Sequence, residues 1–212
     1  MLITELRPQK GHLVGLYSDG ELIVSIDSDI VAEKAIKPMR DYPVETLQEL
    51  LTQSQLRRAK ARALYLLEFR DYSRRDMKTR LKRDEEFDED SAEAAVEYLT
   101  EIGAIDDSRY AENMIRHLIS QKHYGRRRIM QELAGKGIER TTAEEALEPF
   151  DTDEQAAILD LLQNRFSRDL GDEKGIRRTV ATLQRYGYST GDIYDALRTY
   201  GDTLQESRDE CE

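Results

Sequence analysis

Tryptophan is absent from the 212 residues, cysteine occurs once and proline four times. Each scarcity excludes something. The lone Cys211, near the C-terminal end, can build neither an internal disulfide framework nor a cysteine-based zinc site, and it points to a reducing compartment. With so few prolines, long helices are permitted over most of the chain. No apolar run approaches the roughly 20 residues of a membrane-spanning helix, and the N-terminus lacks a signal-peptide layout. The expected location is therefore cytoplasmic, with no membrane contact. Excess positive charge is also missing: 43 Asp and Glu outweigh 32 Lys and Arg, for a net charge of −11. A protein whose main ligand is duplex DNA usually carries a basic excess. The balance argues against a simple DNA binder, while a local basic face remains compatible with it.

Catalytic signatures are missing too. His12, His117 and His123 are scattered, and the last two do not have the i, i+4 spacing of helical metal ligands. No serine sits in a Gly-x-Ser-x-Gly elbow. Gly15 and Gly20 have P-loop spacing, but Glu21-Leu22 stands where Lys-Ser/Thr is required, so phosphates would lack their counter-charge. Asp106-Asp107 could be a carboxylate pair. Its place before Ser108-Arg109-Tyr110-Ala111 suits a helix N-cap with first-turn charge better. Tyr72, Tyr110 and Tyr124 read as packing residues rather than stacking platforms for bases. The expectation is a non-enzyme with no catalytic residue, metal, cofactor or small-molecule substrate.

Residues 1–27 differ from the rest. Leu2 to Leu6, Leu13 to Tyr17 and Leu22 to Ile26 are β-rich, and Asp19-Gly20 is a hairpin signal. A small antiparallel sheet of two or three strands is expected. It is followed by a helix capped by Asp27 or Ser28, running through Ile36 and stopping at Pro38. Pro43 opens a further helix with a Leu47, Leu50, Leu51 stripe, and Leu56, Ala59, Ala63, Leu66, Leu67 and Arg70 continue helical spacing towards Tyr72.

From Tyr72 onward a pattern recurs. Tyr72-Ser73, Tyr124-Gly125 and Lys174-Gly175 align. Leu81, Leu133 and Leu183 follow, 52 and 50 residues apart, and then Phe87, Ile138 and Tyr188. Each unit closes on one helical stripe at i, i+3, i+4, i+7: Ala92, Ala95, Val96, Leu99; Ala143, Ala146, Leu147, Phe150; Ile193, Ala196, Leu197, Tyr200. Polar caps precede each stripe: Asp90 or Ser91, Thr141 or Thr142, and Ser189. The predicted fold is mainly α, an elongated, curved array of three tandem three-helix repeats behind a small N-terminal antiparallel β segment. Its expected divisions are residues 1–54, 55–107, 108–152, 153–201 and an acidic, mobile tail at 202–212. At 39% hydrophobic and 35% charged residues, the chain suits an array whose layers each bury a narrow stripe.

Charge is clustered. Basic residues crowd the stretch from Arg57 to Arg83, and the run from Asp84 to Glu93 is acidic. Arg126, Arg127 and Arg128 in the second unit, and Arg177 and Arg178 in the third, match Arg74 and Arg75 in the first. For any single arginine a solvated, salt-bridged face is the simpler reading. Recurrence at matching positions points instead to a discontinuous basic ridge. The intervening acidic runs favour a protein partner, or a protein–DNA complex, over naked DNA. These seven arginines are the partner-binding candidates.

The string Ile105-Asp106-Asp107-x-Arg109-Tyr110-Ala111, followed by Gly125-x-x-x-Ile129-x-x-x-Leu133-x-x-Lys136-Gly137-Ile138, resembles the RecX family of bacterial recombinase regulators. Arg70-x-Tyr72-Ser73 with Leu81 and Ile102-Gly103 extends the likeness, which spans roughly residues 55–200. The resemblance implies tandem three-helix repeats without enzymatic activity. It also implies a partner, the RecA recombinase and notably its filament on single-stranded DNA, whose ATPase and strand exchange are modulated or inhibited, with weak DNA contact in some members. The rival is a direct DNA-binding protein built from tandem helix-turn-helix-like repeats. Myb-like repeats use core tryptophans, which this chain lacks.

Overall fold

The computed structural model describes residues 1–84, 87–150 and 153–209, with side-chain environments as far as Asp202. The chain is mainly helical, with ten α-helices among the described residues and its strands confined to the N-terminal part. It divides into two compact units, residues 1–106 and the chain from Asp107 onward.

The first unit opens with β1 (Leu2–Ile3), β2 (Glu5–Gln9), β3 (Leu13–Ser18) and β4 (Glu21–Asp27). Strands β2, β3 and β4 form an antiparallel meander, and β1 pairs with β5 (Arg40–Asp41). Asp19 and Gly20 both take positive φ, 48° and 87°, in the two-residue turn whose twist matches that of the flanking strands. Leu16 and Ile26 face inward and are fully buried with Ile30 and Val31 of α1 (Ser28–Glu33) and Leu47 and Leu50 of α2 (Val44–Leu67). Asp27 caps α1 by accepting the Asp29 N–H at 3.0 Å, while its own N–H donates to Ser54 Oγ of α2 at 2.7 Å. One residue thus starts a helix and ties the sheet to its support.

Helix α1 stops sooner than the sequence suggests. Lys34 is its C-cap and Ala35 turns left-handed at φ 49°, so Ile36 lies outside the helix and returns to the core. The expected stop at Pro38 is therefore corrected. The early turn leads the chain back to β5, where it pairs with β1.

Helix α2 is continuous over 24 residues. Its first half serves the sheet core through Leu47 and Leu50. Its second half contributes Ala59 and Ala63 to a separate core with Met77, Leu81, Ala95 and Leu99. A division drawn at 54/55 falls within this helix, beside the buried Ser54. Helices α3 (Arg74–Lys82) and α4 (Glu89–Glu101) complete the module. Ser73 caps α3 by accepting from the Asp76 N–H. Asp88, rather than Asp90 or Ser91, caps α4 by accepting the Ser91 N–H at 2.7 Å. Of the acidic run, Glu85 and Glu86 lie outside the described residues.

The second unit holds two further modules. In the first of them, α5 (Asp107–Lys122), α6 (Arg126–Gly135) and α7 (Arg140–Leu147) enclose Ala111, Ile115, Ile129, Leu133, Ala143 and Leu147. In the next, α8 (Glu154–Asn164), α9 (Glu173–Tyr186) and α10 (Thr190–Asp209) enclose Ile158, Leu162, Leu183, Tyr188, Ile193 and Ala196. Leu81, Leu133 and Leu183 each have no exposed surface. Phe150 lies past the end of α7 but still packs on its core.

Three further corrections concern ends. Glu139, not Thr141 or Thr142, precedes α7, with no side-chain cap bond. Helix α9 begins at Glu173, about one turn before Ile176, the position that matches the starts of α3 and α6: Asp172 accepts the Gly175 N–H at 2.6 Å, and the helix has 14 residues against 9 in α3 and 10 in α6. The backbone stays helical through Asp202 to Asp209, where a mobile tail was expected; residues 210–212 lie outside the described part.

Candidate partner-binding face

Exposed arginines repeat in step with the buried leucines. Arg75, Arg127 and Arg177 each stand six residues before the buried leucine of their module, and all three are exposed. Two more turns of the same logic place Arg74 with Arg126, and Arg128 with Arg178. Arg74 and Arg75 open α3 and Arg126 to Arg128 open α6, whereas Arg177 and Arg178 lie in the second turn of α9. Leucine-relative register survives in all three modules, and helix start does not, because α9 is extended at its N-terminus.

The seven arginines do not have equivalent surroundings. Arg128 is half-buried, pairs with Glu132 at 2.6 Å and stacks 5.5 Å from the Tyr124 ring centroid. Its Nε is buried without a hydrogen-bond partner among the described residues. Gly187 lies directly against its backbone and Cβ, close enough that a Cβ on Gly187 would sit 2.5 Å from both Arg128 N and Cβ. Arg128 is thus part of the packing between the second and third modules, not a projecting cation. Arg177 pairs with Glu173 one turn earlier. Arg126 and Arg127 are exposed, and among the described residues neither side chain is engaged by a carboxylate.

Gly125 has no side chain with which to cap α6. A carboxylate from the next module does so instead: Glu154 Oε1 accepts the Arg126 N–H at 2.7 Å. Nearby, the Gly125 N–H donates to the Tyr186 carbonyl at 2.9 Å, and the Tyr188 hydroxyl donates to the His123 carbonyl at 3.1 Å. Burial, with the charge of Glu154 and then Tyr186, pushes the Tyr188 phenol up to about 12.

These contacts frame a groove of about 670 Å³. Its floor is Met130 and Ala134 of α6, with Ile138 and Ala143. Arg126 and Arg127 stand at one end, and Arg140, paired with Glu144 at 2.8 Å, lines α7. The arginines stand out in the sequence by their recurrence, whereas the groove does not. The available signal was Met130 and Ala134 at i, i+4, a second apolar line beside the core pair Ile129 and Leu133.

In the first unit, Arg62, Lys78, Arg80 and Lys82 of the basic stretch pair with the acidic run beside it. Asp84 receives Arg62 at 3.2 Å and Arg80 at 3.3 Å. Lys78 reaches Glu93 at 3.0 Å, and Lys82 reaches Glu89 at 3.0 Å. The Lys82 and Lys78 ammonium groups hold the Glu89 carboxyl below its usual value. An open cleft of about 970 Å³ nearby is lined by Lys10, Arg57, Arg58, Arg62, Arg83 and Phe87, with Asp27, Asp29 and Asp84 opposing. Among the described residues, no group of three or more His, Cys, Asp or Glu is placed to hold a metal ion. No described helix is long and apolar enough to cross a membrane.

Tandem three-helix modules behind a small antiparallel sheet define a class of mainly helical repeat proteins. Family profiles described as "RecX, first three-helix domain" and "RecX, second three-helix domain" match residues 59–99 and 106–147. The chain is 33% identical over 138 residues to the Regulatory protein RecX of Stenotrophomonas maltophilia (strain R551-3), covering 65% of this chain and 83% of that one. With the Regulatory protein RecX of Clostridioides difficile (strain 630) it shares 28% identity over 200 residues, 93% of this chain and 92% of the relative. A crystal structure of regulatory protein RecX superposes with a TM-score of 0.66 at 21% identity, covering 92% of this chain and 98% of the other, a likeness of fold. The chain belongs to the RecX family.

Proposed function

We propose that this chain binds the RecA recombinase assembled on single-stranded DNA, and that it lowers RecA's ATP hydrolysis and strand exchange without catalysis of its own. Its place of action in this reading is the cytoplasm, in homologous recombination and DNA repair. The observation that carries the reading is the recurrence of exposed Arg75, Arg127 and Arg177 at one leucine-relative register in three modules of a RecX-family chain. Repetition of modest contacts suits a partner that is itself a repeating polymer, because linked weak sites multiply in affinity. The test mixes the full chain with RecA, single-stranded DNA and ATP. Hydrolysis should fall as the protein is added and the protein should co-sediment with filaments. Unchanged hydrolysis together with no co-sedimentation defeats the proposal.

A second reading, direct DNA binding, is favoured by the five cations and Phe87 of the first unit's cleft. Against it stand three aspartates in the same cleft and the net charge of −11. Naked-DNA affinity that falls steeply with salt would support it, since each phosphate contact releases counterions.

A further inference from the structure

We propose that the groove between α6, α7 and the Gly187–Ser189 turn is the docking site for a short acidic segment of the protein partner, anchored by a large aliphatic or aromatic side chain. The inference deepens the reading that the chain acts on a protein, and rests on it.

The groove has two kinds of unmet surface. Met130 is half-buried and Ala134 exposed, and the edges of Ile138 and Ala143 continue their apolar floor. At the rim, Arg126 and Arg127 project from the first turn of α6. Charges elsewhere in the groove are already matched: Glu144 by Arg140, and Glu154 by the backbone N–H that it caps. The two rim arginines are what remains for a ligand. A purely acidic ligand would leave the floor wet, and a purely apolar one would leave the rim charges unanswered. One occupant satisfies both, an apolar anchor with carboxylates beside it. A groove of about 670 Å³ is of the size that takes compact ligands or a few side chains.

Nucleic acid fits less well. Single-stranded nucleic acid is held by stacking on aromatic platforms, and among the described residues no aromatic side chain lines this groove.

The experiment measures anisotropy of fluorescein-labelled acidic octapeptides on the full chain. A panel carries Phe-Leu, Leu-Leu, Ile-Phe or Met-Leu at the centre, and a control carries Ala-Ala. At least one anchored peptide should bind. The control, and the Ala134→Trp variant that fills the floor, should each weaken that binding by about ten-fold or more, as loss of a central anchor does. Arg126→Glu combined with Arg127→Glu should do the same, with helical circular dichroism unchanged. No binding by any peptide at about 1 mM overturns the proposal. Equal binding of the Ala-Ala control, equal binding by Ala134→Trp, or equal competition by oligothymidylate also overturns it. Co-sedimentation with RecA filaments is run in parallel. If Ala134→Trp sediments like the wild type, the groove falls and the RecA reading stands. If the wild type binds peptide but not filaments, the groove stands and the RecA reading falls.

Discussion

Glu154 Oε1 accepts the backbone N–H of Arg126 at 2.7 Å, so a side chain of one module closes the helix of its neighbour. Glycine at position 125 makes this necessary, since it offers no oxygen of its own. Glu154→Ala should cost about 1 kcal/mol, the usual worth of an N-cap, measured by urea denaturation. Arg126→Ala should leave stability nearly unchanged, because the backbone, not the guanidinium, donates.

The hydroxyl of Tyr188 should give stability a pH dependence in alkali. Its pKa is raised from 10.0 to about 12 in the folded chain, with burial the leading cause. The unfolded chain therefore releases this proton first. The contribution is complete below pH 10 and is lost as pH rises through about 12. Denaturation midpoints of the wild type should fall more steeply over that window than those of Tyr188→Phe. Parallel curves for the two proteins would refute the assignment.

Gly187 ends α9 at φ 99°, and a Cβ there would meet Arg128 N at 2.5 Å. Gly187→Ala combines left-handed strain with a clash against backbone. A loss of about 1–3 kcal/mol is expected, read as a lowered denaturation midpoint.

One leucine anchors the core of each module. Leu81, Leu133 and Leu183 are each wholly buried in their own core. Truncation to alanine should cost about 2–5 kcal/mol at each position. A position that tolerates alanine within about 0.5 kcal/mol would show that its module is not organised around that residue.

Adjacent arginines should behave oppositely. Arg128→Ala removes the stacking on Tyr124 and the Glu132 pair, though it keeps the Cβ that meets Gly187, and should destabilise the fold by about 1–2 kcal/mol. Arg127→Glu should leave the unfolding midpoint in place while weakening filament co-sedimentation. If Arg127→Glu unfolds the chain and Arg128→Ala does not, the roles given to the two residues are reversed.

The apolar stripes are legible in the sequence because a helix converts spacing into a face. Ala92, Ala95, Val96 and Leu99 could hardly be arranged otherwise, and all four are buried. Helix ends were read less well. Asp88 and Asp172 cap their helices from positions that a neighbouring polar residue could equally have filled. At Glu139 no side-chain cap bond forms at all. Cap choice depends on where the preceding loop delivers the chain, and composition alone does not settle that. The candidate arginines were likewise visible as a recurrence, but nothing in their sequence separated Arg128 from Arg127.

Local pattern was enough to establish the mainly helical class, the N-terminal hairpin and the buried leucine of each module, because period and turn chemistry act over a few residues. Distant residues had to meet before three other features could exist. These are the sharing of α2 between two cores, the capping of α6 by Glu154, and the groove floored by Met130 and Ala134. Each joins side chains far apart in the chain, and such meetings are set by how packed helices approach, a quantity that no short stretch of sequence carries.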